Sequence, residues 1–204
     1  MREIETLAIY GGTFSPPHLG HVHAAEAFYR SVNPDRLLII PAAAPPHKAP
    51  VNGAGIEDRL AMCRLAFSHI PNTEISDIEI VRSGKSYTVE TLRLLRAANR
   101  RIVMLVGTDM FLTLDTWYCA EEIFSLAEIA VIRREQDDQT TRLLIKKADD
   151  YQNRHKACVR FIEAEPFEIS STALRSCIAE GRSASQYLSK PVEEYIKKCQ
   201  LYQA

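Results

Sequence analysis

The chain has 204 residues, enough for one well-filled core, and its 25 Lys+Arg against 26 Asp+Glu leave a net charge of −1. It therefore carries no broad basic field of the kind that binds nucleic acid by counterion release. Five cysteines, Cys63, Cys119, Cys158, Cys177 and Cys199, stand apart with no CxxC pair, and no run approaches the ~18 apolar residues of a membrane span, so a zinc ribbon, a disulfide framework and a membrane protein are not expected and a reducing cytoplasm is.

Taken in chain order, Leu7–Tyr10 reads as a strand, and the segment after it, Gly11–His21 (GGTFSPPHLGH), as a Gly-rich turn that opens a helix near His18. Such a junction is suited to phosphate: Gly11 and Gly12 permit close backbone approach, and a helix start presents N–H groups and the positive end of its dipole. His18 and His21, three apart, share one helix face and can both reach phosphoryl oxygens. The bland alternative for each is a cap or a satisfied core histidine, and for His23 that alternative leads. A zinc site built from His18, His21 and His23 has the wrong intervals for HExxH and lacks a companion Cys or carboxylate.

Arg36–Ile40 reads as a second strand, followed by a long Pro-, Ala- and Gly-rich loop, Pro41–Gly55, of the length that is more often functional than idle. Lys48 on this loop is either a cation that closes over phosphate or a solvated surface charge. A helix is expected over Glu57–Ile70, where Leu60, Cys63, Phe67 and Ile70 recur at helical spacing, then a strand over Ile78–Val81. Gly84-Lys85-Ser86 imitates the tail of a P-loop, but Glu79 stands where the pattern needs glycine.

The spacing of Val89, Leu92 and Leu95 predicts a helix over Tyr87–Ala98, with Thr88 near its start as a cap or a ligand contact. Ile102–Val106 reads as a strand. Asp109 follows it closely, either as a helix N-cap or as a crevice carboxylate for a ribose hydroxyl. Trp117, the only tryptophan, followed by Tyr118, either packs in the core or stacks on a planar ring. Ile129–Ile132 and Val159–Ile162 complete the strands. Two helices close the chain: Ser170–Gly181, with a Ser/Thr start and a Gly stop, and Pro191–Gln200, where Val192, Tyr195, Ile196 and Cys199 form one apolar face expected to pack on the body.

Alternation of strand and helix predicts an α/β fold, Rossmann-like and doubly wound: a mostly parallel sheet with helices on both faces and a small helical C-terminal part. No repeat or linker interrupts residues 1–204, so one domain is expected.

With those motifs read, GGTFSPPHLGH resembles the HxGH signature of the nucleotidyltransferase superfamily, and Ile169–Arg175 (ISSTALR) is similar to that superfamily's ISSTxxR motif. PPHK at Pro45–Lys48, GKSYT at Gly84–Thr88 and GTD at Gly107–Asp109 with Trp117 narrow the resemblance to the bacterial nicotinate-nucleotide adenylyltransferases. Ser15 and Pro17 depart from it, since the family usually has Asp and an aliphatic residue there.

The resemblance implies transfer of AMP from ATP to nicotinic acid mononucleotide, with pyrophosphate released and no covalent intermediate. It implies catalysis by His18, His21 and Arg175. ATP is then bound by Gly11, Gly12, Thr13, Phe14, Lys48, Ser171 and Thr172 with those three, and the mononucleotide by Thr88, Asp109, Trp117 and Tyr118. Mg²⁺ would be held mainly through ATP phosphates, without a protein metal site. Rival readings are a sibling enzyme with another acceptor, a nucleotide-binding protein without turnover, and a metal-binding protein.

Overall fold

The computed structural model describes residues 4–43, 53–82, 84–133, 137–164 and 169–203. Lys48 and most of the loop expected after the second strand lie outside these residues. In chain order the first half comprises β1 (Glu5–Gly12), α1 (Leu19–Val32), β2 (Arg36–Pro41), α2 (Ile56–Phe67), β3 (Thr73–Ile75), α3 (Ile78–Arg82), α4 (Thr88–Leu95) and β4 (Arg100–Gly107). The second half comprises α5 (Thr108–Leu112), a 3-10 turn (Leu114–Thr116), α6 (Ala120–Leu126), β5 (Glu128–Ile132), α7 (Asp138–His155), β6 (Val159–Ile162), α8 (Ser171–Ala179) and α9 (Lys190–Lys198).

The six strands form one sheet in the order β3-β2-β1-β4-β5-β6, and each pairing is parallel. That order is the doubly wound one, in which the chain leaves β1 toward one edge and returns at β4 toward the other. Because strand side chains alternate, β1 sends Ala8 to one face and Leu7 and Ile9 to the other. β4 divides Val103 and Leu105 from Ile102, Met104 and Val106 in the same way. One core so formed joins the sheet to α1, α2 and the C-terminal helices; the other joins it to α4, α6 and α7.

Local signals explain most boundaries. α1 stops where Asn33 takes a left-handed conformation, α7 starts where the Asp137 carboxylate accepts from Thr140 N at 2.7 Å, and α9 carries Pro191 in its first turn. On α9, Val192 and Ile196 are buried and the Tyr195 hydroxyl donates to Asp58 on α2 at 3.0 Å, while Cys199 is exposed.

One expected element is corrected. Ile78–Val81 is not a strand but belongs to α3, and the strand beside β2 is the short Thr73–Ile75. A brief β-branched run does not separate strand from buried helix. Here Ser76 and Asp77 decide: Ser76 Oγ accepts from Ile78 N at 3.4 Å, and the Asp77 carbonyl takes Ile80 N and Val81 N at 2.8 and 2.9 Å. Helical phase then buries Glu79 and leaves Val81 75% exposed.

Candidate active site

The carboxyl ends of β1 and β4, where the winding direction reverses, open onto a cavity of about 1170 Å³. Residues that follow β1, β2, β4, β5 and β6 line it, and the carboxyl ends of the strands are where a doubly wound sheet holds its ligands.

The first wall is the turn after β1. Gly11, Gly12, Thr13 and Phe14 line the cavity. A Cβ at Gly12 would stand 2.9 Å from Phe14 Cζ, so only glycine lets the ring fold back over the strand end, whereas one at Gly11 would meet nothing within 4 Å. Phe14 itself is left-handed at φ 48, a conformation L-residues rarely hold. Its ring is locked edge-on among Tyr10, His21 and Phe67 at centroid distances of 5.3, 5.1 and 5.7 Å.

His18 is the N-cap of α1 and is buried; His21 lies one turn in. Their rings stack at 3.7 Å with planes 30° apart, both against the cavity. The backbone N–H of His18 donates to His21 Nδ1 at 3.2 Å. A nitrogen that accepts carries no proton, so a singly protonated His21 carries it on Nε2. His23 is exposed and also borders the cavity.

The second wall is the start of α8, 155 residues beyond Pro16 in the chain. Ser170 caps it by accepting from Ala173 N at 3.1 Å. Ser171, Thr172 and Arg175 line the cavity. Arg175 Nη2 donates to Thr172 Oγ1 at 3.2 Å, and its Nη1 donates to the Ser15 carbonyl at 2.8 Å. Ser171 Oγ adds a longer bond of 3.4 Å to the Pro16 carbonyl. The two phosphate-type motifs are thus hydrogen-bonded to each other.

The opposite side is aromatic. Tyr118 and Tyr87 lie 4.8 Å apart, Trp117 is half-buried on the second core, and Thr88 is the first residue of α4. Cys119 beside it pushes the Tyr118 phenol pKa upward. Asp109 is exposed, second in α5 behind the N-cap Gly107, and so is not the cap itself. Trp117, Tyr118, Thr88 and Asp109 all border the cavity. Every expected site residue among the described ones is therefore brought to one place. Lys48 lies outside the described residues.

Sequence reasoning missed several neighbours. Ser15 is buried, its Oγ 2.9 Å from the hydroxyl of Tyr202 at the end of the chain. Burial raises the Tyr202 phenol to about 12. Arg133, at the end of β5, and Glu79, which accepts from Thr91 at 2.8 Å, also border the cavity. A basic residue directly after a predicted strand could have marked Arg133, and Ser15 stood out only as a departure within its motif; nothing local marked Glu79 or Tyr202. Among the described residues no group of three His, Cys, Asp or Glu is placed to hold a metal ion.

Residues 9–177 match the family described as Cytidylyltransferase-like. Two relatives named probable nicotinate-nucleotide adenylyltransferase extend the match. That of Synechococcus sp. (strain JA-2-3B'a(2-13)) is 37% identical, covering 96% of each chain, and that of Desulfatibacillum aliphaticivorans is 33% identical, covering 96% of this chain and 99% of its own. The chain belongs to the nicotinate-nucleotide adenylyltransferase family. The fold agrees with the structure of Plasmodium falciparum nicotinic acid mononucleotide adenylyltransferase complexed with NaAD, at a TM-score of 0.75, 16% identity and 97% of both chains. For an adenylyltransferase of this family, the departures at Ser15 and Pro17 fall on buried residues of the turn and leave His18 and His21 facing the cavity.

Proposed function

We infer that this single-domain chain transfers AMP from ATP to nicotinic acid mononucleotide, forming nicotinic acid adenine dinucleotide and pyrophosphate, a step of NAD biosynthesis. The observation that carries the reading is the bond from Arg175 to the Ser15 carbonyl, which makes one anion-binding surface of the HxGH turn and the α8 start. Two helix starts, two imidazoles and a guanidinium around one cavity suit a triphosphate.

In this reading the triphosphate lies along the β1 turn, against Gly11, Gly12, Thr13 and Phe14. His18 and His21 face its inner phosphates, and Ser171, Thr172 and Arg175 face its distal end, with Lys48 assisting. The pyridine ring lies against Trp117 and Tyr118, its carboxylate toward Thr88 at the α4 start and a ribose hydroxyl toward Asp109. The 5′-phosphate of the mononucleotide attacks the α-phosphorus in line. A new P–O bond forms, the bond to the β-phosphate breaks, and pyrophosphate departs with the electron pair.

No general base is needed, since the attacking phosphate is already ionised. Catalysis is then positioning plus stabilisation of charge by donors fixed beforehand. Mg²⁺, when bound, would supply charge neutralisation on the phosphates. Among the described residues bordering the cavity the carboxylates are Glu79, engaged by Thr91, and Asp109, so this donor set fits a hydrated ion carried by phosphate oxygens better than a protein cage. The activity is that of a cytoplasmic metabolic enzyme.

The test is pyrophosphate release from ATP and Mg²⁺ with nicotinic acid mononucleotide, its amide or phosphopantetheine as acceptor, alongside His18→Ala. Fastest release with the acid, lost in the variant, is expected. Release with phosphopantetheine alone overturns the aromatic-wall assignment, and none with any acceptor overturns the enzymatic reading.

A further inference from the structure

Behind the β1 turn, away from the cavity, α2 places a cation for which the reaction above has no task. Arg59 is 4% exposed and does not border the cavity. Its Nη1 donates to two backbone carbonyls, Thr13 O at 3.0 Å and Ala42 O at 2.8 Å. Among the described residues no carboxylate forms an ion pair with it; burial lowers its pKa, opposed by Cys63 and Tyr202. A guanidinium stays charged under such a shift. A buried, unpaired charge is costly and is kept only where something offsets it.

The two carbonyls lie where β1 and β2 part. Their ladder runs to Gly12 opposite Pro41 and is continued by the 2.8 Å bond from Ala42 N to Gly12 O. Beyond it the strands diverge, and one nitrogen of Arg59 ties both ends. In a trans peptide the carbonyl and the N–H point opposite ways. With Thr13 O turned back toward α2, the N–H of Phe14 is turned forward, to the side where Thr13 and Phe14 border the cavity. The left-handed Phe14, at φ 48, is costly, so this orientation must be held from outside. Two peptides further on, the Ser15–Pro16 unit is held by a second guanidinium, Arg175 donating to the Ser15 carbonyl at 2.8 Å.

We propose that Arg59 is a positioning residue for AMP transfer: it fixes the Thr13–Phe14 peptide so that the Phe14 N–H faces the ligand phosphates, and sets its charge directly behind that peptide. This rests on the functional reading above only for its kinetic half. Ligand phosphate meets the Phe14 amide; Arg59 acts through it. The charge that no described carboxylate pairs is offset when a polyanion binds, so the two effects reinforce each other.

The experiment compares wild type with Arg59→Met, which keeps the stem and removes both donors and charge, and Arg59→Lys, which restores a charged donor. Steady-state AMP transfer gives kcat and the KM of each substrate; calorimetric titration with ATP gives affinity independently of turnover; thermal melts confirm folding. For a folded Met chain we expect kcat and ATP affinity each to fall at least tenfold, with the KM for the mononucleotide within threefold, and Lys to recover most of both. A role in stability alone would lower the melting temperature and leave kcat per folded enzyme and ATP affinity unchanged, which overturns the proposal. So would a Lys chain as stable as wild type that recovers neither. If the Met chain gives no cooperative melt, Arg59→Gln takes its place with the same thresholds. A wild type that binds ATP but transfers nothing defeats the functional reading instead, and the titration arm still decides the role of Arg59.

Discussion

Replacing Arg175 by alanine removes the shorter of the hydrogen bonds that join the two walls of the proposed ATP site, and the loss divides into two parts. The bond to the Ser15 carbonyl, 2.8 Å long from a half-buried guanidinium, is charge-assisted. Such bonds contribute about 1.5–3 kcal/mol when buried, reduced to about 1 here by solvent. For a chain of this size that lowers the melting temperature by roughly 2–4 °C. The catalytic part is larger: a preorganised donor aimed at transition-state charge is worth about 2.7–4 kcal/mol, so kcat falls roughly 10²–10³-fold. Arg175→Lys keeps the charge but cannot reach the Ser15 carbonyl and Thr172 Oγ1 together, and a loss near tenfold is expected. Pyrophosphate release at saturating substrates, read beside a thermal melt, measures both parts. An Arg175→Ala enzyme within threefold of wild-type kcat refutes the reasoning, and so does a lost melt, which makes the contact structural.

Gly12→Ala sets a Cβ 2.9 Å from Phe14 Cζ in a packed cluster, so it should cost about 1–3 kcal/mol of stability and most activity, whereas Gly11→Ala, with open space around its Cβ, should melt like wild type and raise the KM for ATP; equal melts for the two would contradict this. Tyr202→Phe deletes only the 2.9 Å contact with Ser15 Oγ, for an expected loss near 1 kcal/mol by denaturant titration. Because burial raises the Tyr202 pKa from 10.0 to about 12, the native state holds its proton more tightly than the unfolded chain. Its stabilisation is whole below pH ~10 and is lost as pH rises toward ~12, so the gap between wild type and Tyr202→Phe should narrow over that window. Ser170→Ala removes the α8 cap to Ala173 N and should cost about 1 kcal/mol, with kcat falling far less than in Arg175→Ala; a larger kcat loss would make Ser170 a ligand contact.

The mostly parallel, doubly wound class of the sheet and the walls of the cavity were legible because their signals are local. Leu7–Tyr10, Ile102–Val106 and Val159–Ile162 are runs whose neighbours break the pattern, and His18, His21, Ser171, Thr172 and Arg175 each stand within a short motif beside a strand or helix end. Thr73–Ile75 is too short to alternate visibly, and Ile78–Val81 looked like the strand it replaced because β-branched residues suit either state. What holds the turn in place was not legible. Arg59 lies 46 residues from Thr13 and Tyr202 lies 187 from Ser15, and in sequence each is an ordinary residue of an amphipathic helix or a chain end. Such long-range bonds exist only once the sheet has brought α2, α8 and the C-terminus behind one turn. The turn could be read from its own residues, and its supports could not.

The measurement that bears most directly on the central claim is identification of the nucleotide product. Chain, ATP, Mg²⁺ and nicotinic acid mononucleotide are incubated, resolved by chromatography and weighed by mass spectrometry. Nicotinic acid adenine dinucleotide is expected in one-to-one amount with pyrophosphate, and neither product from Arg175→Ala above a hundredth of the wild-type rate. Pyrophosphate accompanied by free AMP, with no dinucleotide, would contradict it: the cavity would then bind and cleave ATP without holding an acceptor phosphate in line.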